Sequence, residues 1–237
     1  ARRPPQGGRP VTTHLLDRPI WSALSTAHAP LASGGPLARR YPADVAPFAA
    51  ARDADAQSLG ALAALVAPGE RVLIVQAEEI VLPEALAPVA TAEVVQMIAE
   101  VPPTPPDDPR IEPLTWADAP EMLALATLTQ PGPFSLKAQS LGRFWGIRQD
   151  GRLVAMAGER LRQPGFTELS GVCSHPDVRG RGLGRTLSLF VAGQIGARAD
   201  IPYLHAYAGN AAAIRLYESI GFRWRTDIRL VAAARPG

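Results

Sequence analysis

The chain reads as a mixed α/β protein of the α+β kind, and three observations carry that reading. Strand-like apolar runs alternate with segments of helical apolar spacing along most of the sequence. An Asp150-Gly151 pair separates two such runs, as a two-residue type I′ hairpin requires. A glycine-rich stretch, Arg179-Gly180-Arg181-Gly182-Leu183-Gly184, follows a strand-like run and opens an amphipathic helix.

Taken in order, residues 1–10 read as a flexible tail. Residues 11–101 then form an N-terminal α/β half. Pro19 to His28 and Ala54 to Val66 have helical spacing, while Val45 to Ala50, Arg71 to Gln76 and Glu93 to Ala99 are strand-like. Residues 102–109 are dominated by proline, which removes backbone donors and holds the chain extended, so they read as a linker. Residues 110–237 form the second domain. Ile111 to Leu114 is a strand and Ala119 to Leu128 a helix. Phe144 to Ile147 and Leu153 to Ala157 flank the Asp-Gly turn as a hairpin. Phe166 to Cys173 is a long strand that feeds the glycine turn and its helix. Ile201 to Tyr207 is a short buried strand, and a last helix and strand follow.

Composition narrows the function classes. Of the 237 residues 47% are hydrophobic, ample for a buried core, yet no apolar run approaches the ~18–20 residues a membrane span needs. With no signal-like apolar start, a cytoplasmic protein is expected. The single cysteine, Cys173, rules out an internal disulfide, and four scattered histidines do not suggest a metal site, so no metal is expected. A net charge of +2, without aromatic residues interleaved among the arginines, argues against a nucleic-acid partner.

The glycine stretch is built to hold an anion. Its glycines let the backbone curl so that several N–H groups aim inward, the helix dipole adds to the pull, and Arg179, Arg181 and Arg185 surround the mouth. It lacks the Gly-Lys-Ser/Thr of a P-loop and the strict G-x-G-x-x-G of a dinucleotide site. It does match R-x-x-G-x-G/A, the pyrophosphate-binding motif of the GCN5-related N-acetyltransferases (GNATs). A second stretch, Asn210 to Phe222, resembles that family's N-x-x-A-x-x-x-Y-x-x-x-G-F pattern through Asn210, Ala213, Tyr217, Gly221 and Phe222. The element order over about Arg110 to Leu230 is similar to the GNAT core, and the closing pattern resembles the FR47-like branch. A mixed, mostly antiparallel sheet flanked by helices is the implied fold. The N-terminal half is then either a degenerate copy of that fold or an unrelated α/β module.

The resemblance implies acetyl-CoA as co-substrate and direct acetyl transfer to an amine of a small molecule, amino acid or peptide. Longer-chain N-acyl transfer and a non-catalytic acyl-CoA-binding module are the alternatives. Arg179, Gly180, Arg181, Gly182, Leu183, Gly184, Arg185 and Thr186 would hold the pyrophosphate. Val172 and Ser174 would meet the pantetheine arm through backbone atoms, where Leu169 to Ser174 splays from Ile201 to Tyr207. An N–H at Val172 or Cys173 would polarise the acetyl carbonyl. Tyr217 would protonate the departing thiolate, with Asn210 and Ala213 beside the coenzyme, although Asn210 is also a good helix N-cap. Glu168 is the first choice for general base, ahead of Glu159 and His205. Cys173 reads as a small buried hydrophobe, not an acyl carrier. Acceptor identity and oligomeric state are left open.

Overall fold

The computed structural model describes residues 14–237, so the expected tail at 1–10 lies outside the described residues. The first half contributes α1 (Pro19–Ser25), β1 (Ser33–Gly34), β2 (Ala38–Arg40), β3 (Ala49–Ala51), α2 (Ala56–Ala64), β4 (Arg71–Gln76) and β5 (Ala87–Ile98). The second contributes β6 (Ile111–Leu114), α3 (Ala119–Thr129), β7 (Phe144–Gln149), β8 (Arg152–Gln163) and β9 (Phe166–Ser174). It continues with α4 (Leu183–Gly196), β10 (Ile201–Tyr207), α5 (Ala211–Glu218) and β11 (Arg223–Ala234).

One eight-stranded sheet organises both halves, in the order β4-β11-β5-β10-β9-β8-β7-β6. All pairings in it are antiparallel except β9 with β10. The mixed, mostly antiparallel sheet expected from the sequence is therefore present. The expected separation at 102–109 is not. β5, from the first half, lies between β10 and β11 and pairs with both, so the two halves share a sheet instead of owning one each. Among the described residues the first half builds only a small β1-β2-β3 sheet of its own. Of the two alternatives for that half, this sheet order does not fit a degenerate copy of the second.

The proline segment is likewise packed and does not hang free. Cβ atoms added to Gly193 and Gly196 would fall 2.6 Å from Pro105 and 2.3 Å from Pro102, so these two glycines of α4 are what let the proline strap lie on the helix. On its other face α4 buries Leu187, Val191 and Ile195, spaced four apart, against β7, β8, β9 and β10. Fully burying each such side chain is worth about 1.5–3 kcal/mol. The opposite face of the sheet is covered by α1 around Tyr41, Tyr203 and Ile228, and by α3 around Met122, Leu125 and Phe144.

Candidate active site

The site is built where two parallel strands part. β9 and β10 pair only through Ile201–Phe166, Pro202–Thr167 and Tyr203–Glu168. Beyond that point β9 stays with β8 and β10 stays with β5, so the sheet opens into a V. A bulge sharpens the divergence. Two steps along β8, from Met156 to Gly158, match three along β9, from Cys173 to Ser170, and the extra residue is accommodated at Gly171 with φ of 65°. His175 N–H donates to Val154 O, 2.7 Å away, across the β8 edge. By strand alternation the Val172 and Ser174 amides then face the open V, whereas that of Cys173 faces β8.

The glycine turn abuts this opening. Gly180 and Gly182 both have positive φ, 76° and 78°, and Gly182 is the N-cap of the 14-residue α4. No side chain caps that helix, so the first-turn N–H groups at Leu183, Gly184 and Arg185 have no acceptor within it. Thr186, one residue further, already donates to Gly182 O at 3.0 Å. Arg179, Arg181 and Arg185 are exposed around the turn. A Cβ on Gly184 would lie 3.8 Å from both Ser174 Oγ and Val172 Cγ1, which puts the helix start against the freed end of β9. An uncapped helix start rimmed by arginines can receive phosphate oxygens, and adjoining unpaired strand amides can receive an extended amide-bearing arm.

Tyr217 lies on the inner face of α5, packed edge-to-face on Phe222 with centroids 6.0 Å apart, and burial pushes its phenol up to about 12. Its hydroxyl makes no hydrogen bond among the described residues, so it carries a proton with no fixed recipient. Asn210 caps α5, its Oδ1 accepting from Ala213 N at 3.1 Å. The N–H of Ala213 is thereby used inside the protein. Cys173 points into the α3 side of the sheet, and burial raises its thiol to about 11, a poor state for a nucleophile.

Glu168 does not have the surroundings of a base. It is fully buried, and a bulge in β8 after Glu159 brings Arg160 alongside, donating from Nε and Nη2 at 2.8 and 2.7 Å. Burial alone would raise its pKa, but the Arg160 charge, with His205 behind it, holds the carboxyl well below the usual range. A carboxylate so stabilised has little affinity for a proton. Glu159 is buried too and accepts from Arg198 at 2.6 Å. His205 bridges Glu168 Oε1, 2.7 Å from Nδ1, and Gln96 Nε2, 2.9 Å from Nε2. Gln96 Oε1 faces the Arg225 guanidinium, so its amide nitrogen is the side that faces His205. His205 is then the Nδ1–H tautomer, donating to Glu168. All three candidate bases are thus structural partners at the apex of the V.

Sequence reasoning missed the other side of the opening. A narrow cleft is lined by Val45, Ala46 and Phe48 from the first half, Pro133 and Phe134 from the loop after α3, and Ser170 and Gly171 of β9, among others. A wider groove shares Pro133 and Phe134 and extends to Tyr207 at the end of β10. Ser135 Oγ donates to Val45 O at 2.9 Å, tying the loop to the first half. The walls come from three distant stretches of chain. Gln130-Pro131-Gly132-Pro133 was the available signal, a turn-forming run of unusual density. Among the described residues no group of three His, Cys, Asp or Glu could hold a metal ion, and no helix is long and apolar enough to cross a membrane.

A sheet split at parallel central strands, with an uncapped glycine turn beside the split, defines the architecture of the acyl-CoA-dependent acetyltransferases. Residues 144–231 match the family model described as FR47-like protein. A solved structure from Novosphingobium aromaticivorans, assigned to the GNAT family of acetyltransferases, is 41% identical with a TM-score of 0.89, over 95% of this chain and 100% of that one. Mycothiol acetyltransferases from Thermobispora bispora and Nocardiopsis dassonvillei are 46% and 49% identical over 55 and 57 residues. Each of those matches takes in 22% of this chain and only 19% or 17% of the relative, under a fifth of its length. A GCN5-related N-acetyltransferase-like protein from Streptococcus suis, 12% identical with a TM-score of 0.56, shares the fold. The chain belongs to the GNAT superfamily, in its FR47-like branch.

Proposed function

We propose that the protein is an acetyl-CoA-dependent N-acetyltransferase that moves an acetyl group directly to the amine of a small acceptor. The observation that carries this reading is the V between β9 and β10, with the Val172 and Ser174 amides turned into it beside the uncapped start of α4. In this reading the turn from Arg179 to Thr186 holds the pyrophosphate, with Asn210 and Ala213 near the coenzyme at the start of α5. Val172 N–H polarises the acetyl carbonyl, and the Cys173 amide, which faces β8, has no such duty. The acceptor nitrogen forms a bond to the carbonyl carbon, the carbon–sulfur bond breaks, the amine gives up one proton, and Tyr217 supplies one to the departing sulfur. Amide and free thiol are the products, and the balance needs no metal or redox partner.

Release of thiol from acetyl-CoA in the presence of amines tests the activity. Tyr217→Phe should lower kcat about 10²-fold at neutral pH while leaving coenzyme affinity within about twofold. An unchanged kcat across the pH range would remove Tyr217 as the acid. Coenzyme binding without thiol release over a broad amine panel would favour a binding module instead.

Because Glu168, Glu159 and His205 are all committed inside the protein, we infer that the acceptor meets the thioester as a neutral amine that has lost its proton to solvent. The rise of kcat/KM with pH should then follow the pKa of the acceptor. Two acceptors with amine pKa values differing by about one to two units should give rising limbs displaced by as much. A limb fixed at one pH for both would reveal a base on the protein.

A further inference from the structure

Arg160 has an edge that its partners do not use. Nε and Nη2 fork onto Glu168, whereas Nη1 has no hydrogen-bond partner among the described residues. The side chain retains 17% exposure and opens onto the cleft beside Ser170 and Gly171. Its plane is fixed on two sides. Glu168 holds one edge, and the Phe48 ring lies under the guanidinium, 5.1 Å from Cζ. The loop after α3 bends over the remaining edge without covering it. Gly132 has φ of 132°, and a Cβ there would stand 3.9 Å from Nη1.

That remaining edge is the end-on one, where N–H groups of Nη1 and Nη2 run side by side at the spacing of carboxylate oxygens. Nη1 is reached by solvent there, so an acceptor that binds it takes the place of water. The surrounding wall is mostly apolar, from Val45, Phe134, Leu141 and Phe144, and its one carboxylate, Glu159, already accepts from Arg198. Ser170 and Gly171 line the same cleft and immediately precede Val172, so a molecule held there sits next to the proposed position of the acetyl carbonyl.

We propose that the acceptor amine also carries a carboxylate, received end-on by Arg160, and a compact apolar side chain held against Pro133 and Phe134, where the cleft meets the wider groove: an apolar α-amino acid or a molecule of that pattern. The proposal rests on the acetyltransferase reading above and names the substrate class of that site. It also assigns Arg160 two tasks on two edges, anchoring Glu168 with one and selecting the acceptor with the other.

The full chain is assayed with acetyl-CoA and matched acceptors, leucine and phenylalanine against their carboxamides and the corresponding carboxylate-free amines. Expected is a kcat/KM at least about tenfold higher for the acids, compared at pH values that give equal fractions of neutral amine. Equal or faster turnover of the carboxamides overturns the proposal while leaving the acetyltransferase reading intact. If no amine turns over, that reading fails, and calorimetry of the same pairs on the protein with CoA still decides the carboxylate site: the acid must bind at least about tenfold tighter than the amide. Replacing Arg160 alone would strand the buried Glu168 charge, so the variant used is Arg160→Gln with Glu168→Gln. It should keep coenzyme binding and a cooperative melt and lose the preference for the acid. A preference retained in that variant also overturns the proposal.

Discussion

Gly182 holds the left-handed φ of 78° that turns the chain from the β9 exit into α4, and an added Cβ would meet nothing within 4 Å. Its requirement is therefore conformational, not steric. An L-residue there costs roughly 1–2 kcal/mol and drives the turn towards another shape. Gly182→Ala should weaken CoA binding at least about fivefold by calorimetry, and an unchanged Kd would take the turn out of the coenzyme site. His28 gives the pH dependence of stability a definite sign. It is buried beside the Tyr41 hydroxyl, 2.8 Å from Nδ1, and burial, reinforced by the Arg162 charge, pushes its pKa down to about 4 from 6.5. Between those values the unfolded chain takes up a proton that the native state refuses, so stability falls as pH drops through that window. By pH 5 the loss from this group is on the order of 2 kcal/mol. Urea unfolding at pH 7.5 and 5 should show a loss smaller by about that amount in His28→Asn than in the parent protein. Equal losses would mean that His28 titrates freely in the folded state.

Among the secondary elements, those whose burial alternates or whose ends carry turn residues were legible from sequence. Arg71 to Gln76, Ile111 to Leu114 and Ile201 to Tyr207 have the bounds their patterns indicated. β5 begins at Ala87, six residues before the expected Glu93, because residues 87–91 expose Ala, Pro, Val and Thr and bury nothing that would mark a strand. β8 runs on from Ala157 to Gln163, since the bulge beside Arg160 interrupts the period on which strand recognition depends. The glycine turn between a strand and a helix, and the capped helix carrying Tyr217, were readable because each is local. Residues 102–109 misled by composition, as proline-rich chain suits both a linker and a strap. The distinguishing signal was in α4, where Gly193 and Gly196 are otherwise a cost to the helix. Gly196→Ala adds a methyl where Pro102 already sits, and should destabilise the protein by about 1–3 kcal/mol despite the better helix propensity of alanine. A neutral or stabilising change in urea unfolding would show that the strap is not seated on the helix.

At the scale of the whole molecule the half that carries both sequence signatures has a sheet completed by the other half, and this was out of reach of local patterns. Which strands become neighbours depends on contacts between residues far apart in sequence. His205 is registered opposite Gln96, and Arg229 opposite Glu93, so β5 supplies the hydrogen bonds that β10 and β11 would otherwise lack along one edge. Val95, Gln96 and Met97 are all at most 1% exposed there, and Gln96 donates onward to Leu16 O at 2.8 Å, linking the apex of the V to the first helical turn. The cleft proposed for the acceptor depends on the same union, since Val45 and Phe48 form one of its walls. A fragment of residues 110–237, although it contains both coenzyme signatures, would leave a gap in mid-sheet and bare two apolar strand edges. It should show no cooperative thermal transition, aggregate on concentration, and bind CoA at least about tenfold more weakly than the full chain. Supplying residues 14–109 as a separate polypeptide should restore both the transition and the affinity, because β5 can pair from outside. A fragment that melts cooperatively and binds CoA like the parent would show that the shared sheet is dispensable, and that the proline strap is a domain boundary after all.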